Sequence, residues 1–414
     1  MPEVQKYSLV EELRRANETY GDSLALVGMS SLTFPDYINS MRTNMFTSHL
    51  KQYLNPEHPE FPFLFTGVEN LVGKYSFAYK EAKNDIKIVK KIVKFKDLVD
   101  DPQIYKLFIY DTKKKKYDVI DRVPIGDLTE NFGFEWDNSV IDSLEEGDKV
   151  KKGTILYRST SYDEDMNYSY GKNVRVMYTL DPYTTEDAAV VSRSFANDMT
   201  SIETEHIRVG LNDNDFLLNL YGLNGDITED NYDDYYKPLP AIGSMVSGIL
   251  IATRRQFNNQ LLFDFKRESL NEIHEGDDCY YVGLNNQIID YTIYNNNEEV
   301  KDTAFMRQVN ELIKAQDEYY QEIYDTCKSI MKSGKAYSRE IDYLFKRAGE
   351  MLDKTMKWKD GDSAFSNMVI DITTKKVVPL SKGQKITGWI HKAGLKLCEL
   401  RGRIRRFVTT KLRW

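Results

Sequence analysis

Gly171-Lys172-Asn173-Val174-Arg175-Val176-Met177-Tyr178-Thr179-Leu180-Asp181-Pro182-Tyr183-Thr184-Thr185-Glu186-Asp187-Ala188-Ala189-Val190-Val191-Ser192 is the stretch on which the fold turns. Alternation at Val174, Val176 and Tyr178 predicts a strand, and Asp181-Pro182 predicts the turn that ends it. Two adjacent carboxylates follow, and then a short apolar run that suits a buried strand. Acids on the lip of an apolar strand cost folding energy unless a cation or hydrogen-bond donors meet them. Chemistry alone therefore makes Glu186 and Asp187 a candidate site.

The rest of the chain predicts a β-rich surround. Gly147-Asp148-Lys149-Val150-Lys151-Lys152-Gly153 leads into the apolar run Thr154-Ile155-Leu156. Ile242-Gly243-Ser244-Met245-Val246-Ser247-Gly248 leads into Ile249-Leu250-Ile251 in the same way, with shorter spacing. Glycines flanking a buried valine supply the turns of a small barrel. Lys106–Tyr110 and Tyr117–Ile120 alternate around Asp111-Thr112-Lys113-Lys114-Lys115-Lys116, which predicts a hairpin with a solvated lysine tip. Ile86, Ile88, Ile92 and Phe95 form a further apolar series among lysines. Met368–Ile372 and Lys376–Leu380 are expected to be a strand pair.

Helical spacing marks two other regions. Residues 8–54 place Leu9, Leu13, Leu24 and Leu26 before a segment from Arg42 to Gln52, and Pro56, Pro59 and Pro62 then punctuate a linker. Within 301–357, Phe305, Val309, Leu312, Ile313, Tyr320, Ile323, Cys327 and Ile330 precede a break at Ser333-Gly334-Lys335. Ile341, Leu344, Ala348, Met351 and Leu352 resume the pattern, which predicts an antiparallel helical hairpin projecting toward a partner.

Composition narrows the class. A charged content of 29% beside 41% hydrophobic residues suits a folded protein. No run is long enough to span a membrane and no signal-peptide pattern opens the chain. Cys279, Cys327 and Cys398 make neither a disulfide framework nor a zinc pattern, so a reducing, cytoplasmic setting is expected. The net charge of −8 hides an asymmetry: residues 389–414 carry +7, leaving about −15 on the first 388. An acidic body is a poor non-specific DNA binder, so nucleic acid would be met at a local site or beside a basic partner.

Four patches, in order, carry a resemblance. Arg42-Thr43-Asn44-Met45-Phe46-Thr47-Ser48-His49-Leu50-Lys51-Gln52 has Asn39 before it. Phe65-Thr66-Gly67-Val68-Glu69 is the second patch, and the Glu186-Asp187 stretch is the third. The fourth is Val378-Pro379-Leu380-Ser381-Lys382-Gly383-Gln384-Lys385-Ile386-Thr387-Gly388. Together they resemble the beta (second-largest) subunit of multisubunit DNA-directed RNA polymerases, of the divergent type carried by bacterial viruses. There the counterparts are the fork-loop helix, a Gly-Thr-Gly-Met-Glu segment, the Glu-Asp strand of a double-psi β-barrel and the approach to a barrel lysine.

The resemblance implies a mixed α+β, β-rich fold containing a barrel-sandwich hybrid and part of a double-psi β-barrel, with a helical N-terminal segment and an inserted helical hairpin. It divides the chain into a fork-like helical segment (1–60), a β-rich segment with a hairpin (61–135), and barrel strands bearing the Glu-Asp motif (136–200). A flap-like β region (201–300), the helical hairpin (301–357), return strands with Lys385 (358–388) and a basic tail (389–414) follow. It implies catalytic roles for Glu186, Asp187 and Lys385, and nucleotide binding by Arg42 and Gln52. Glu186 and Asp187 would approach a second Mg2+, directly or through water, while the primary metal site sits on a partner. Implied partners are a beta-prime-like largest subunit with the catalytic aspartates, the remaining beta fragment, DNA template, RNA product and a promoter-specificity factor at the hairpin; no membrane is implied. Host cytoplasm is the expected location, with the virion as the alternative.

Two departures qualify the match. Asn212-Asp213-Asn214-Asp215 is not the Asp-x-Asp-x-Asp loop of the largest subunit. After Gly388 the family's Gly-Asn-Lys-Gly motif is replaced by Trp389-Ile390-His391-Lys392-Ala393-Gly394, as expected of a split gene or of read-through into an intervening sequence. The alternative function is a non-catalytic polymerase-derived scaffold or virion structural protein. Each site residue also has a bland alternative: Arg42 as an exposed helix arginine, Glu186-Asp187 as a solvated turn, Lys385 as an ordinary hairpin lysine.

Overall fold

The structure is a computed structural model. It describes residues 31–33, 37–51, 56–70, 79–129, 132–175, 192–212, 214–218, 239–246, 250–256, 275–282, 286–295, 306–353 and 368–379. The architecture is mixed α+β and β-rich, with largely antiparallel sheets and few helices. No closed barrel is present among the described residues.

The largest sheet contains β1 (Tyr79–Glu81), β5 (Ile125–Thr129), β6 (Phe132–Asp137), β8 (Ile155–Ser159), β9 (Thr200–Leu211), β11 (Met245–Val246), β14 (Asn286–Asn295) and β16 (Met368–Pro379). Their order is β1-β8-β6-β9-β16-β14-β11, with β5 paired to β6. A second sheet has β2 (Ile86–Val93), β3 (Tyr105–Asp111), β4 (Lys116–Arg122), β7 (Lys149–Val150) and β15 (Ala336–Tyr337), in the order β15-β4-β3-β2-β7. A third joins β10 (Asp215–Leu218), β12 (Leu250–Gln256) and β13 (Asp278–Tyr281). Among the described residues the helices are α1 (Ser40–Lys51), α2 (Ser139–Asp142), α3 (Arg193–Asp198), α4 (Arg307–Lys332) and α5 (Arg339–Leu352).

The hairpin predicted around the lysine tip is β3–β4, with Asp111 opposite Lys116 and Lys113–Lys115 exposed. The expected strand pair at 368–380 is instead one continuous strand. All twelve residues of β16 pair with β9, from Met368 opposite Leu211 to Pro379 opposite Thr200. The reason is local: Thr373-Thr374-Lys375 contains β-branched residues and no turn former, so nothing reverses the chain. Phe95 does not extend β2; it follows the strand in a left-handed conformation (φ 58°), with its ring in the core.

The two glycine turns singled out in the sequence prove to be the same device used twice. Gly147 (φ 97°) donates to the Ile88 carbonyl at 3.0 Å, and the Ile88 N–H donates to Asp148 at 2.9 Å. Gly243 (φ 85°) donates to the Ile288 carbonyl at 2.8 Å, and the Ile288 N–H donates to Ser244 at 3.0 Å. Val150 then lies opposite Ile86, as Val246 lies opposite Asn286. Both long strands shift register just beyond, between Ile88 and Lys90 and between Ile288 and Asp290. Such a bulge bends a strand at a defined point. Glycine is required at each turn because side chains resist those positive φ values.

The helical hairpin is a core element, contrary to the projecting arm expected. The N-terminal half of α4 buries Val309, Leu312 and Ile313 against Tyr291, Ile293 and Ile370 of the large sheet. Its C-terminal half buries Tyr319, Ile323, Cys327 and Ile330, with Ile341 and Leu344 of α5, against Ile92, Phe108 and Val119 of the second sheet. A 26-residue helix is about 39 Å long, enough to bridge both sheets. Two polar clips reinforce the joint. Gln316 Nε2 donates to the Ile293 carbonyl (2.6 Å), and its Oε1 accepts the Ile293 N–H (2.9 Å). Buried Lys94, just past β2, reaches both Asp290 carboxylate oxygens at 2.7 Å and the Tyr291 carbonyl at 2.8 Å.

Candidate functional site

Arg42 lies in the first turn of α1. The Asn39 side chain accepts the Met41 N–H (2.8 Å), and the Asn39 carbonyl accepts the Thr43 N–H (3.0 Å). A cation at this end opposes the helix dipole, by a few tenths of a kcal/mol at an exposed site. Arg42 is exposed, with one guanidinium nitrogen 3.8 Å from Met45 Sδ. Gln52, Glu186, Asp187 and Lys385 lie outside the described residues.

The segments leading to those residues do meet. Glu60, in the proline-punctuated linker, bridges to Gly171 at the start of the Glu186-Asp187 stretch: its N–H donates to the Gly171 carbonyl at 2.7 Å. Glu60 Oε2 accepts the Asn173 N–H (3.1 Å) and Asn173 Nδ2 (3.3 Å), while Oε1 lies 3.3 Å from Lys172 Nζ. Asn173 completes the clamp by donating to the Phe61 carbonyl (2.8 Å) and accepting the Phe63 N–H (3.2 Å). Partial burial pushes the Glu60 carboxyl up, but the donors from Asn173 and Lys172 outweigh it and hold it below the ordinary range.

The Phe65–Glu69 patch folds on its own carboxylate. Glu69 is 1% exposed, and its Oε2 accepts the Thr66 N–H (3.2 Å), Thr66 Oγ1 (3.3 Å) and the Gly67 N–H (3.0 Å). The Glu69 carbonyl accepts the Tyr168 N–H at 3.0 Å. Glu69 Oε1 is buried with no hydrogen-bond partner, an expensive arrangement for a carboxylate. Beside it Tyr162, Tyr168 and Tyr170 form a ladder with ring centroids 5.2 and 5.6 Å apart. Burial raises the Tyr168 phenol far above its ordinary value, and burial with the Glu69 charge pushes Tyr170 up to about 12. Both stay neutral at physiological pH.

The exit of the stretch is also anchored. Ser192 caps α3, its Oγ accepting the Phe195 N–H at 3.2 Å. Eight residues on, Thr200 Oγ1 donates to Glu57 Oε2 (2.6 Å), and its carbonyl accepts the Glu57 N–H (2.9 Å). Thr200 is also the β9 partner of Pro379, which closes β16 six residues before Lys385. The linker, both flanks of the Glu-Asp stretch and the strand leading to Lys385 thus share one set of backbone and carboxylate contacts.

Glu57, Glu60, Glu69 and Asn173 were not singled out from the sequence for this role. Asn173 and Glu69 fall within the quoted patches, whereas Glu57 and Glu60 look like solvated linker acids. Among the described residues no group of three His, Cys, Asp or Glu is arranged to hold a metal. Neither a protein-family model nor a curated protein matches the chain.

Proposed function

We propose that this chain is a fragment of the beta subunit of a phage multisubunit DNA-dependent RNA polymerase. In this reading it contributes nucleotide- and RNA-contacting residues to an active centre completed by a largest subunit bearing the catalytic aspartates. The observation that carries it is the convergence above. The linker that joins the first two matched patches meets the start of the third, more than a hundred residues on, through Glu60, Gly171 and Asn173. Segments that flank unrelated matches have no reason to be neighbours. The two glycine turns, with the same hydrogen bonds and positive φ, support the finer assignment to a barrel-sandwich hybrid and part of a double-psi barrel.

Each residue has a defined task. Arg42, with a planar, always-charged guanidinium, suits a triphosphate oxygen, and Gln52 of the same sequence patch assists it. Glu186 and Asp187 are hard oxygen donors of the kind Mg2+ prefers, and when bound that ion would neutralise charge on the phosphates. Lys385 places a cation near the RNA end. The contacts of Glu60 and Asn173 hold the linker against residues 171–173, the start of the stretch that carries the acidic pair, and the Glu69 carbonyl ties the second patch to Tyr168 beside it. Nucleotidyl transfer needs little covalent chemistry from the protein; positioning and electrostatics supply most of the rate.

The test is affinity purification of the chain from the cells that make it, followed by transcription assays on Glu186→Ala and Asp187→Ala. Recovery with a chain bearing an Asp-x-Asp-x-Asp loop is expected. Each variant should assemble normally and add nucleotides at least tenfold more slowly, about 1.4 kcal/mol in the barrier. Normal elongation in both variants would remove the site assignment. Recovery with capsid proteins alone would favour the scaffold.

A further inference from the structure

The second sheet carries a row of side chains that the polymerase site does not use. Register places Lys149 of β7 opposite Lys87 of β2, Lys87 opposite Tyr110 of β3, Tyr110 opposite Tyr117 of β4, and Tyr117 beside Tyr337 of β15. Residues paired directly across strands share a face. These five therefore form a straight transverse line, two lysines followed by three tyrosines. The face is the one α4 and α5 cover at Phe108 and Val119. At the lysine end of this row the cover stops, leaving Lys87 and Lys149 exposed; at the other end it is partial, with Tyr117 and Tyr337 packed against that cluster and half-buried, as is Tyr110.

Like charges directly opposite each other destabilise a sheet, so the Lys87–Lys149 pair needs a reason. Neither ammonium group makes an ion pair among the described residues. Their surroundings add positive charge. Lys335, on the turn between α4 and α5, sits 5.0 Å over the Tyr110 ring and 5.7 Å over Tyr117. The 151–153 turn and the lysine tip lie at the same sheet end, since the Lys152 N–H donates to Asp85 Oδ1 (2.8 Å) and the Thr112 N–H to the Asp85 carbonyl (3.1 Å). The acids there are already engaged in turns: Asp111 takes Asn84 Nδ2 (2.7 Å) and the Lys113 and Lys114 N–H groups. In a protein of net charge −8 this is a local concentration of cations beside aromatic rings.

The geometry points to this row as a docking surface for single-stranded nucleic acid, its phosphates on Lys87 and Lys149 and its bases on Tyr110 and Tyr117. Aromatic rings accept any base face, and lysines track the backbone without reading sequence. Paired strands suit it poorly, because their bases are already stacked on one another. An acidic peptide would use the lysines but leave the aligned rings idle. Lys335 occupies the ring face in the free protein and can swing to a phosphate when a base replaces it. None of these residues belongs to the site above, so the two assignments stand or fall separately.

The test uses the full chain and a fluorescent 20-mer of thymidine, with a second 20-mer carrying 5-iododeoxyuridine for photocrosslinking. Lys87→Ser/Lys149→Ser should weaken binding about tenfold and lower the salt slope by about 1.4. Tyr110→Ala should weaken it about tenfold, and Tyr110→Phe, which keeps the ring and the fold, should bind normally. Crosslinks should map to Tyr110 or Tyr117. Unchanged affinity in the lysine variant, or crosslinks confined to 389–414, would overturn the proposal. So would weakened binding without a tyrosine crosslink, or a (Glu)20 peptide that binds more tightly than the oligonucleotide.

Discussion

Replacing Gln316 by alanine removes one side chain but orphans two backbone groups. Gln316 is 2% exposed and sits where α4 passes from one sheet to the other. Its amide reproduces the pairing of a β-ladder, accepting the Ile293 N–H and donating to the Ile293 carbonyl. Ile293 is itself 2% exposed, so water cannot readily take over. Each buried group left unpaired costs about 1–3 kcal/mol, which gives about 2–6 kcal/mol for the pair. Gln316→Met fills the space but satisfies neither group, and should recover only about 1 kcal/mol of that.

Gln316→Glu makes the reasoning sharper. One carboxylate oxygen can still accept the Ile293 N–H, but the other must face the Ile293 carbonyl and is tolerated there only when protonated. Its folded-state pKa is therefore raised above the unfolded value. The variant should approach wild-type stability below the ordinary glutamate range of about 4.3 and lose it as pH rises through the raised value. Urea unfolding gives the global effect. Hydrogen exchange of the 286–295 peptide gives the local one, since a chain with several sheets need not unfold in one step. A loss of about 3 kcal/mol speeds exchange there by roughly two powers of ten. A change under about 1 kcal/mol in Gln316→Ala, with exchange unaltered, would mean the two groups find other partners and the clip is dispensable.

Two further predictions concern buried charge and pH. Arg255 and Asp277 pair at 2.6 and 2.8 Å with side chains 8% and 2% exposed. Arg255→Met should cost about 3–5 kcal/mol in urea unfolding, and Arg255→Met/Asp277→Leu should recover most of it; equal losses in both would contradict the account. Burial and the neighbouring Asp118 carboxylate raise the Glu340 pKa, with Lys80 opposing, where α5 meets β4. That stability is full below the unfolded pKa and is lost as pH rises through the folded one, so Glu340→Gln should be the more stable form at pH 7. Thermal melts from pH 4 to 8 that run parallel to wild type would refute this.

Much of the β-structure was legible because its determinants are local. The β3–β4 hairpin follows from alternation around a polar tip, and the glycine turns follow from residues only glycine replaces without strain. The break at Ser333-Gly334-Lys335 also lies where α4 ends. What escaped notice depends on residues far apart in the chain. Gln316 resembles any polar helix residue until Ile293 is placed beside it, and Lys87 resembles a solvent-facing strand lysine until Lys149 is set opposite. The single strand β16 differs from the strand pair expected because its polar middle, Thr373-Thr374-Lys375, does not reverse the chain. In the sheet those residues pair with His206, Glu205 and Thr204 in turn, where polar side chains find polar partners.

The same distinction bears on the candidate site. Glu186 and Asp187 were picked out by an intrinsic conflict, adjacent charges beside an apolar run, which needs no knowledge of the fold. The contacts at the flanks of their stretch were invisible because Glu57 and Glu60 acquire meaning only when Thr200 and Asn173 arrive. This separates two kinds of consequence. Substituting Glu60 should loosen the linker from residues 171–173 and lower stability with activity, whereas substituting Asp187 should lower activity alone. A Glu60→Gln chain that keeps one carbonyl-type acceptor for Asn173 should fall between them. Measuring assembly and nucleotide addition side by side for the three variants therefore orders the frame and the chemistry. If Asp187→Ala proved the least stable of the three, the acidic pair would be a structural element and not a site.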